Sequence, residues 1–175
     1  MLSRRRFLGS VASAPLLAAL PRPAASSTGP RALRFLHTHT GERLAVEYFD
    51  ARDYLPDALA TVNHFLRDFR TGEEHVIDPS LLDLLHHLTG LTDSTRPFEV
   101  ISGYRSPATN AMLRRQSEGV APGSLHMVGQ AIDIRLADVP LPRLRTAALS
   151  IRGGGVGYYP ASNFVHVDTG RVRYW

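Results

Sequence analysis

The chain has 175 residues, 43% of them hydrophobic, with no cysteine and no lysine; its 20 arginines against 16 acids give a formal charge of +4. That length suits one domain large enough to bury a core, and the lack of cysteine excludes disulfides, thiolate metal cages and a cysteine nucleophile. Arg4, Arg5, Arg6 and Arg22 fall in the first 28 residues and the remaining 16 arginines balance the 16 acids, which argues against a polyanion-binding surface and against nucleic acid as a partner.

Taken in order, Ser3-Arg4-Arg5-Arg6-Phe7-Leu8 resembles the twin-arginine export signal. An apolar run from Val11 to Leu20, broken by Pro15, is too short to span a bilayer comfortably. Small residues at Ala24-Ala25-Ser26 suit cleavage, so residues 1–28 read as a leader and 29–175 as the folded domain. The expected location is the periplasm, reached by the twin-arginine pathway. Membrane contact is expected only through the leader, should it stay uncleaved.

Leu33 to Thr38 and Arg43 to Phe49 read as a hairpin around Thr40-Gly41-Glu42. Within it, His37 and His39 are expected to be ordinary hairpin residues. A helix begins at Pro56, with Leu59, Val62, Leu66 and Phe69 at helical spacing, and Gly72 ends it. His64 belongs to that helix and His75 to the linker beyond, neither with an evident partner. Asp78-Pro79 caps a second helix running through Leu81, Leu82, Leu84, Leu85 and Leu88 to Gly90. His86 and His87 are neighbours on it, cannot face one site together, and read as structural.

Phe98 to Ser102 is a short strand that delivers Gly103-Tyr104-Arg105-Ser106-Pro107 to a loop, where Arg105 is well placed to clamp a carboxylate. Ala108 to Gly119 is helical, and Pro140 to Ile151 is another amphipathic helix closed by Gly153-Gly154-Gly155. No lysine or serine opens a helix after those glycines, so they read as a hinge and not as a phosphate cradle. Val156 to Tyr159 and Phe164 to Asp168 are the last strands. Strands and helices segregate, which predicts an α+β domain: an antiparallel sheet carrying the site, with helices packed on one side.

The most informative stretch is Ser124-Leu125-His126-Met127-Val128-Gly129-Gln130-Ala131-Ile132-Asp133. From Ala131 to Leu136 apolar and polar residues alternate, so Ile132 and Ile134 face a core and Asp133 faces away. Gly129 lets the chain bend so that His126 folds back over Asp133. In Phe164 to Asp168, Val165 and Val167 point inward while His166 and Asp168 share the other face. His126, Asp133 and His166 together suit zinc, two imidazoles and one carboxylate leaving a fourth position open.

The pattern Ser-x-His-x-x-Gly-x-Ala-x-Asp, Ser102-Gly103-Tyr104-Arg105-Ser106 before it, Phe164-Val165-His166-Val167-Asp168 after it, Thr38-His39-Thr40-Gly41-Glu42 and the closing Tyr174-Trp175 resemble the zinc D-Ala-D-Ala peptidases and murein endopeptidases. That superfamily includes lysostaphin and the hedgehog signalling domain, and the strongest likeness is to its YcbK-like or MepK-like periplasmic group. The resemblance runs from about Arg31 onward. It implies a zinc-dependent endopeptidase that hydrolyses peptide cross-links of bacterial murein. His126, Asp133 and His166 would hold the metal, Arg105 would serve catalysis by binding the substrate carboxylate, and Ser124 would touch substrate or position His126. Relatives with a Glu-x-x-His pattern carry a glutamate three positions before the last ligand; here that position is Asn163. Asp168 is then either the catalytic base or a partner orienting His166. The alternatives are a D-Ala-D-Ala carboxypeptidase and a zinc-holding, murein-binding module without turnover. A serine hydrolase has little support, because no Gly-x-Ser-x-Gly elbow is present.

Overall fold

A computed structural model describes residues 29–117 and 119–175; the expected leader, residues 1–28, lies outside them. Strands form at Arg31–His37 (β1), Arg43–Phe49 (β2), Phe98–Ser102 (β3), Ala131–Arg135 (β4), Gly155–Tyr159 (β5), Phe164–Asp168 (β6) and Arg173–Tyr174 (β7). Helices form at Pro56–Phe65 (α1), Pro79–Thr92 (α2), Pro107–Gln116 (α3) and Leu141–Ile151 (α4). The α+β class is as expected, but the sheet is mixed and not antiparallel. Its order is β2-β1-β3-β4-β6-β5-β7, with β1 parallel to β3 and β5 parallel to β7. The cause lies in the connections: α1 and α2 come between the hairpin and β3, and such a crossover can return the chain in the same direction as β1.

One face of the sheet is apolar. Phe35, Val100, Ile132, Ile134, Val165 and Val167 are almost wholly buried there, as are Leu81, Leu82, Leu85 and Leu88 of α2 and Leu144 of α4. Each such side chain contributes about 1.5–3 kcal/mol by leaving water. Helix α1 adds Val62 and Phe65 to the same core. Helix α3 stands apart: its Leu113 lines a cleft on the other side of the sheet, so the helices are not all on one side.

Three helix ends differ from those expected, the first being α3, which stops at Gln116 and not at Gly119. α1 stops at Phe65, well before Gly72, because Asp68 offers the backbone a better set of partners than a further helical turn. Its carboxylate accepts hydrogen bonds from the N–H groups of Arg70 and Ser106, both at 2.9 Å, and the Asp68 N–H is bonded to the Glu73 carbonyl. α2 runs through Gly90 to Thr92 and closes on Asp93 in the left-handed region, φ 53°. Its start is as expected, with the Asp78 side chain accepting from the Ser80 N–H.

Between α3 and β4 the chain makes a 3-10 turn, Leu125–Val128, that carries His126 and ends at Gly129 with φ 69°. Gly129 is needed for space as well as for its φ. A Cβ there would lie 2.0 Å from the Val76 carbonyl oxygen, while the Gly129 carbonyl accepts from the Asp78 N–H at 3.0 Å. Gly129→Ala is therefore expected to destabilise the fold by about 2–4 kcal/mol. Urea unfolding should show a lower midpoint at unchanged slope; an unaltered midpoint would mean that this contact does not constrain the turn.

Candidate metal centre

The β4–β6 register sets Asp133 directly opposite His166. A register shift in β3 brings Ser102 opposite Asp133 on the other flank, and Gly157 of β5 faces His166. This row crosses the middle of the sheet on the side away from the core, and the 3-10 turn lowers His126 onto it. Nε2 of His126 lies 3.2 Å from Nδ1 of His166 and 3.3 Å from Oδ1 of Asp133. The His166 Nδ1 to Asp133 Oδ1 distance is 2.9 Å. All three side chains are buried.

These separations allow a test of fit. Four ligands placed tetrahedrally about 2.0–2.1 Å from zinc stand about 3.3–3.4 Å from one another, close to the observed spacing. The far nitrogens of both rings are already engaged. His126 Nδ1 is 2.8 Å from the Gly103 carbonyl, to which it donates, leaving the Nε2 lone pair aimed at the centre. His166 Nε2 donates to Asp168 Oδ2 at 2.9 Å, which turns Nδ1 toward Asp133. The donor set, its spacing and its orienting partners all suit a zinc ion.

Asp168 is fully buried behind His166. Its Oδ1 accepts from the N–H groups of Gly155 and Gly170, both at 2.9 Å, and from Arg173 Nη1 at 3.0 Å. Oδ2 accepts from His166 and from Arg173 Nη2, the latter at 2.7 Å. The glycine triplet expected to act as a hinge has its use here: a Cβ on Gly155 would fall 2.4 Å from Asp168 Oδ2. Asp168 does not border the cleft.

The cleft over the three donors has a volume of about 510 Å³. Arg105 borders it with a half-satisfied fork, Nη2 lying 3.8 Å from Asp133 Oδ2 and Nη1 3.4 Å from Asn110 Oδ1. Its Nε has no hydrogen-bond partner among the described residues. Ser124 borders the cleft just before the 3-10 turn. Tyr159 and Trp175 form an aromatic wall, with the indole N–H donating to the tyrosine hydroxyl at 2.7 Å and its ring 5.3 Å from that of His166.

The other histidines stay away from the three donors, with one surprise. His37 is buried beside Phe65 and Phe69, His64 pairs with Glu74, and His75 packs on Tyr104. His39, read from sequence as an ordinary hairpin residue, borders the cleft, stacked on Phe69 at 4.1 Å. Sequence reasoning also passed over Arg70, Arg173 and Asp68. The Asp-x-Arg-x-Gly run at 68–72 was a turn signal that an unbroken helical period obscured. Nothing local marks Arg173.

A buried constellation of two imidazoles and a carboxylate, open on one side to a cleft, is the donor set of a metallohydrolase. Comparison with known proteins makes the class specific. The model of the M15 peptidase family described as peptidoglycan L,D-endopeptidase MepK matches residues 25–175. The peptidoglycan L,D-endopeptidase MepK of Escherichia coli K12 is 48% identical over 176 aligned residues, covering 99% of this chain and 97% of that protein. The probable peptidoglycan L,D-endopeptidase MepK of Haemophilus influenzae is 49% identical over 151 residues, 86% of this chain and 81% of that one. The chain belongs to this peptidase family.

Without an ion, the three donors must hold their charges by themselves. Burial works against the His166 imidazolium, but hydrogen bonds to Asp133 and Asp168 override it and raise its pKa from an ordinary 6.5 to about 9. Burial likewise opposes both carboxylates, yet the histidines hold Asp133, and His166 and Arg173 hold Asp168, well below the usual carboxylate range. The raised histidine stabilises the fold fully below pH 6.5 and loses that contribution as pH climbs through about 9. The depressed carboxylates contribute above their unfolded value of 3.8 and lose the contribution as pH falls below it. Metal-stripped protein should thus melt at its highest temperature between about pH 4 and pH 6.5 and at a falling temperature toward pH 9. Calorimetry in chelator across that range checks this, and a melting temperature that rises toward pH 9 would contradict it.

Proposed function

We propose that this chain is a zinc-dependent endopeptidase that hydrolyses peptide cross-links of bacterial murein. The observation that carries the reading is the convergence of His126 Nε2, His166 Nδ1 and Asp133 Oδ1 on one point beneath a cleft, in a chain of a peptidase family. Zinc held there would supply Lewis acidity to the scissile carbonyl and acidify a water at the open position.

The protein's own groups do the rest. Gly103 and Asp168 hold the ring protons of His126 and His166 on the far nitrogens, which keeps the ligating lone pairs facing inward. Arg105 offers its incompletely satisfied fork to a carbonyl or carboxylate oxygen of the peptide. Ser124 meets the peptide at the cleft border. Of the two roles open to Asp168, the geometry favours orientation of His166 over proton abstraction: five hydrogen bonds occupy the carboxylate, and it has no exposure to the cleft. Asn163 supplies no base either; it is exposed in a turn at φ 54°. Asp133 is the sole carboxylate among the described residues that border the cleft. That observation favours a second reading, a zinc-holding murein-binding module without turnover. The twin-arginine motif and the murein substrate of the named relatives together support export to the periplasm by way of residues 1–28.

Purified protein, loaded with zinc and incubated with cross-linked muropeptides, should release monomers. His126→Ala and His166→Ala should lose both bound metal and hydrolysis. Bound metal and retention on sacculi without release of monomers would replace the peptidase by the binding module. Asp168→Asn should weaken metal affinity about 10- to 100-fold; full metal affinity with a collapsed rate would instead make Asp168 the base.

A further inference from the structure

Three arginines border the cleft, and their surroundings differ. Arg173 is consumed by Asp168, and Arg105 faces Asp133. Arg70 is exposed and makes no ion pair or side-chain hydrogen bond among the described residues. An arginine on a protein surface can point anywhere, but this one is aimed. Its guanidinium lies over the Phe69 ring at 4.2 Å, and the same ring carries His39 stacked on it at 4.1 Å. Cation–π contact of this kind restricts a long side chain that would otherwise wander.

Asp68 sets the spacing between Arg70 and Arg105. It is 1% exposed, and its two carboxylate oxygens divide between the two loops: Oδ1 accepts from the Arg70 N–H and Oδ2 from the N–H of Ser106, the residue after Arg105. A second tie joins the same loops, from the Tyr104 N–H to the Leu66 carbonyl at 2.8 Å. Both arginines border the same cleft, one on each of the two loops that Asp68 joins. Arg105 has Asp133 at 3.8 Å, whereas the exposed Arg70 leaves positive charge at the cleft border that draws in an anion.

We infer that Arg70 and Arg105, held in register by Asp68, form a carboxylate subsite of the cleft, in which Arg70 reads a free carboxylate of the murein peptide beside the scissile amide. The inference rests on the peptidase reading for the identity of the peptide. It goes further in assigning a residue and a charge requirement to the substrate. A cross-link made through the amino group of a diamino-dicarboxylic acid leaves a carboxylate on the carbon that bears the amide nitrogen, which is the group a second arginine could select. A neutral carboxamide at the same place keeps the shape and removes the charge that the pair attracts.

The test uses the zinc-loaded protein and two cross-linked muropeptides identical except that this carboxylate is free in one and a primary carboxamide in the other. Equilibrium binding and hydrolysis are measured for wild type, Arg70→Gln and Arg70→Lys. Wild type should bind and cut the carboxylate form about 10- to 100-fold better than the carboxamide. Arg70→Gln should lose that preference by weakening the carboxylate form alone, through KM more than kcat, and Arg70→Lys should regain part of it. Equal losses on both peptides, or no loss on either, would overturn the subsite. If wild type prefers the carboxylate form in binding but cuts neither peptide, the subsite stands and the peptidase reading falls.

Discussion

The antiparallel pairing of β4 with β6 is the constraint from which the site follows. Side chains alternate between the two faces of a strand, so a slip of one residue would send Asp133 or His166 into the core and bring an isoleucine or a valine to the cleft. The core prevents that slip. Ile132, Ile134, Val165 and Val167 are all wholly buried, and exposing any of them would cost more than a single hydrogen bond gains. The chemistry on one face is thus held in register by hydrocarbon on the other.

Around that pair the protein adds layers of support. Asp168 fixes one imidazole and the Gly103 carbonyl fixes the other. Gly103 is itself carried on the loop that Leu66 and Asp68 tie down, and the same loop presents Arg105. The loop between α1 and α2, distant from the donors in sequence, therefore governs both the orientation of His126 and the placing of the arginines. Where α1 stops becomes a matter of function.

The sequence made some of this legible and hid the rest for identifiable reasons. Alternation over β4 and β6 gave the facing of Asp133 and His166 directly, and Gly129 announced the bend that returns His126. The hairpin and the capped start of α2 were equally plain, because turn and cap residues act locally. The parallel neighbours of β1 and β5 were not, since strand order depends on where crossovers land and leaves no local pattern. β7 is two residues long and has no periodicity to read. Asp168 suits two roles by spacing alone, and the burial and five hydrogen bonds that weigh for the brace in the reading proposed above leave no trace in the spacing. Arg70 was concealed because helical spacing through Phe69 ran past the point where Asp68 breaks the helix.

The raised pKa of His166 has one more consequence under the reading proposed above. In the metal-free protein a proton resides where a cation is wanted, shared among the same nitrogens and oxygens that would ligate it. Loading then amounts to ion exchange: a proton would depart to solvent as the divalent cation arrives. Acidity competes with the metal for its seat, and the ambient pH helps decide how full that seat is.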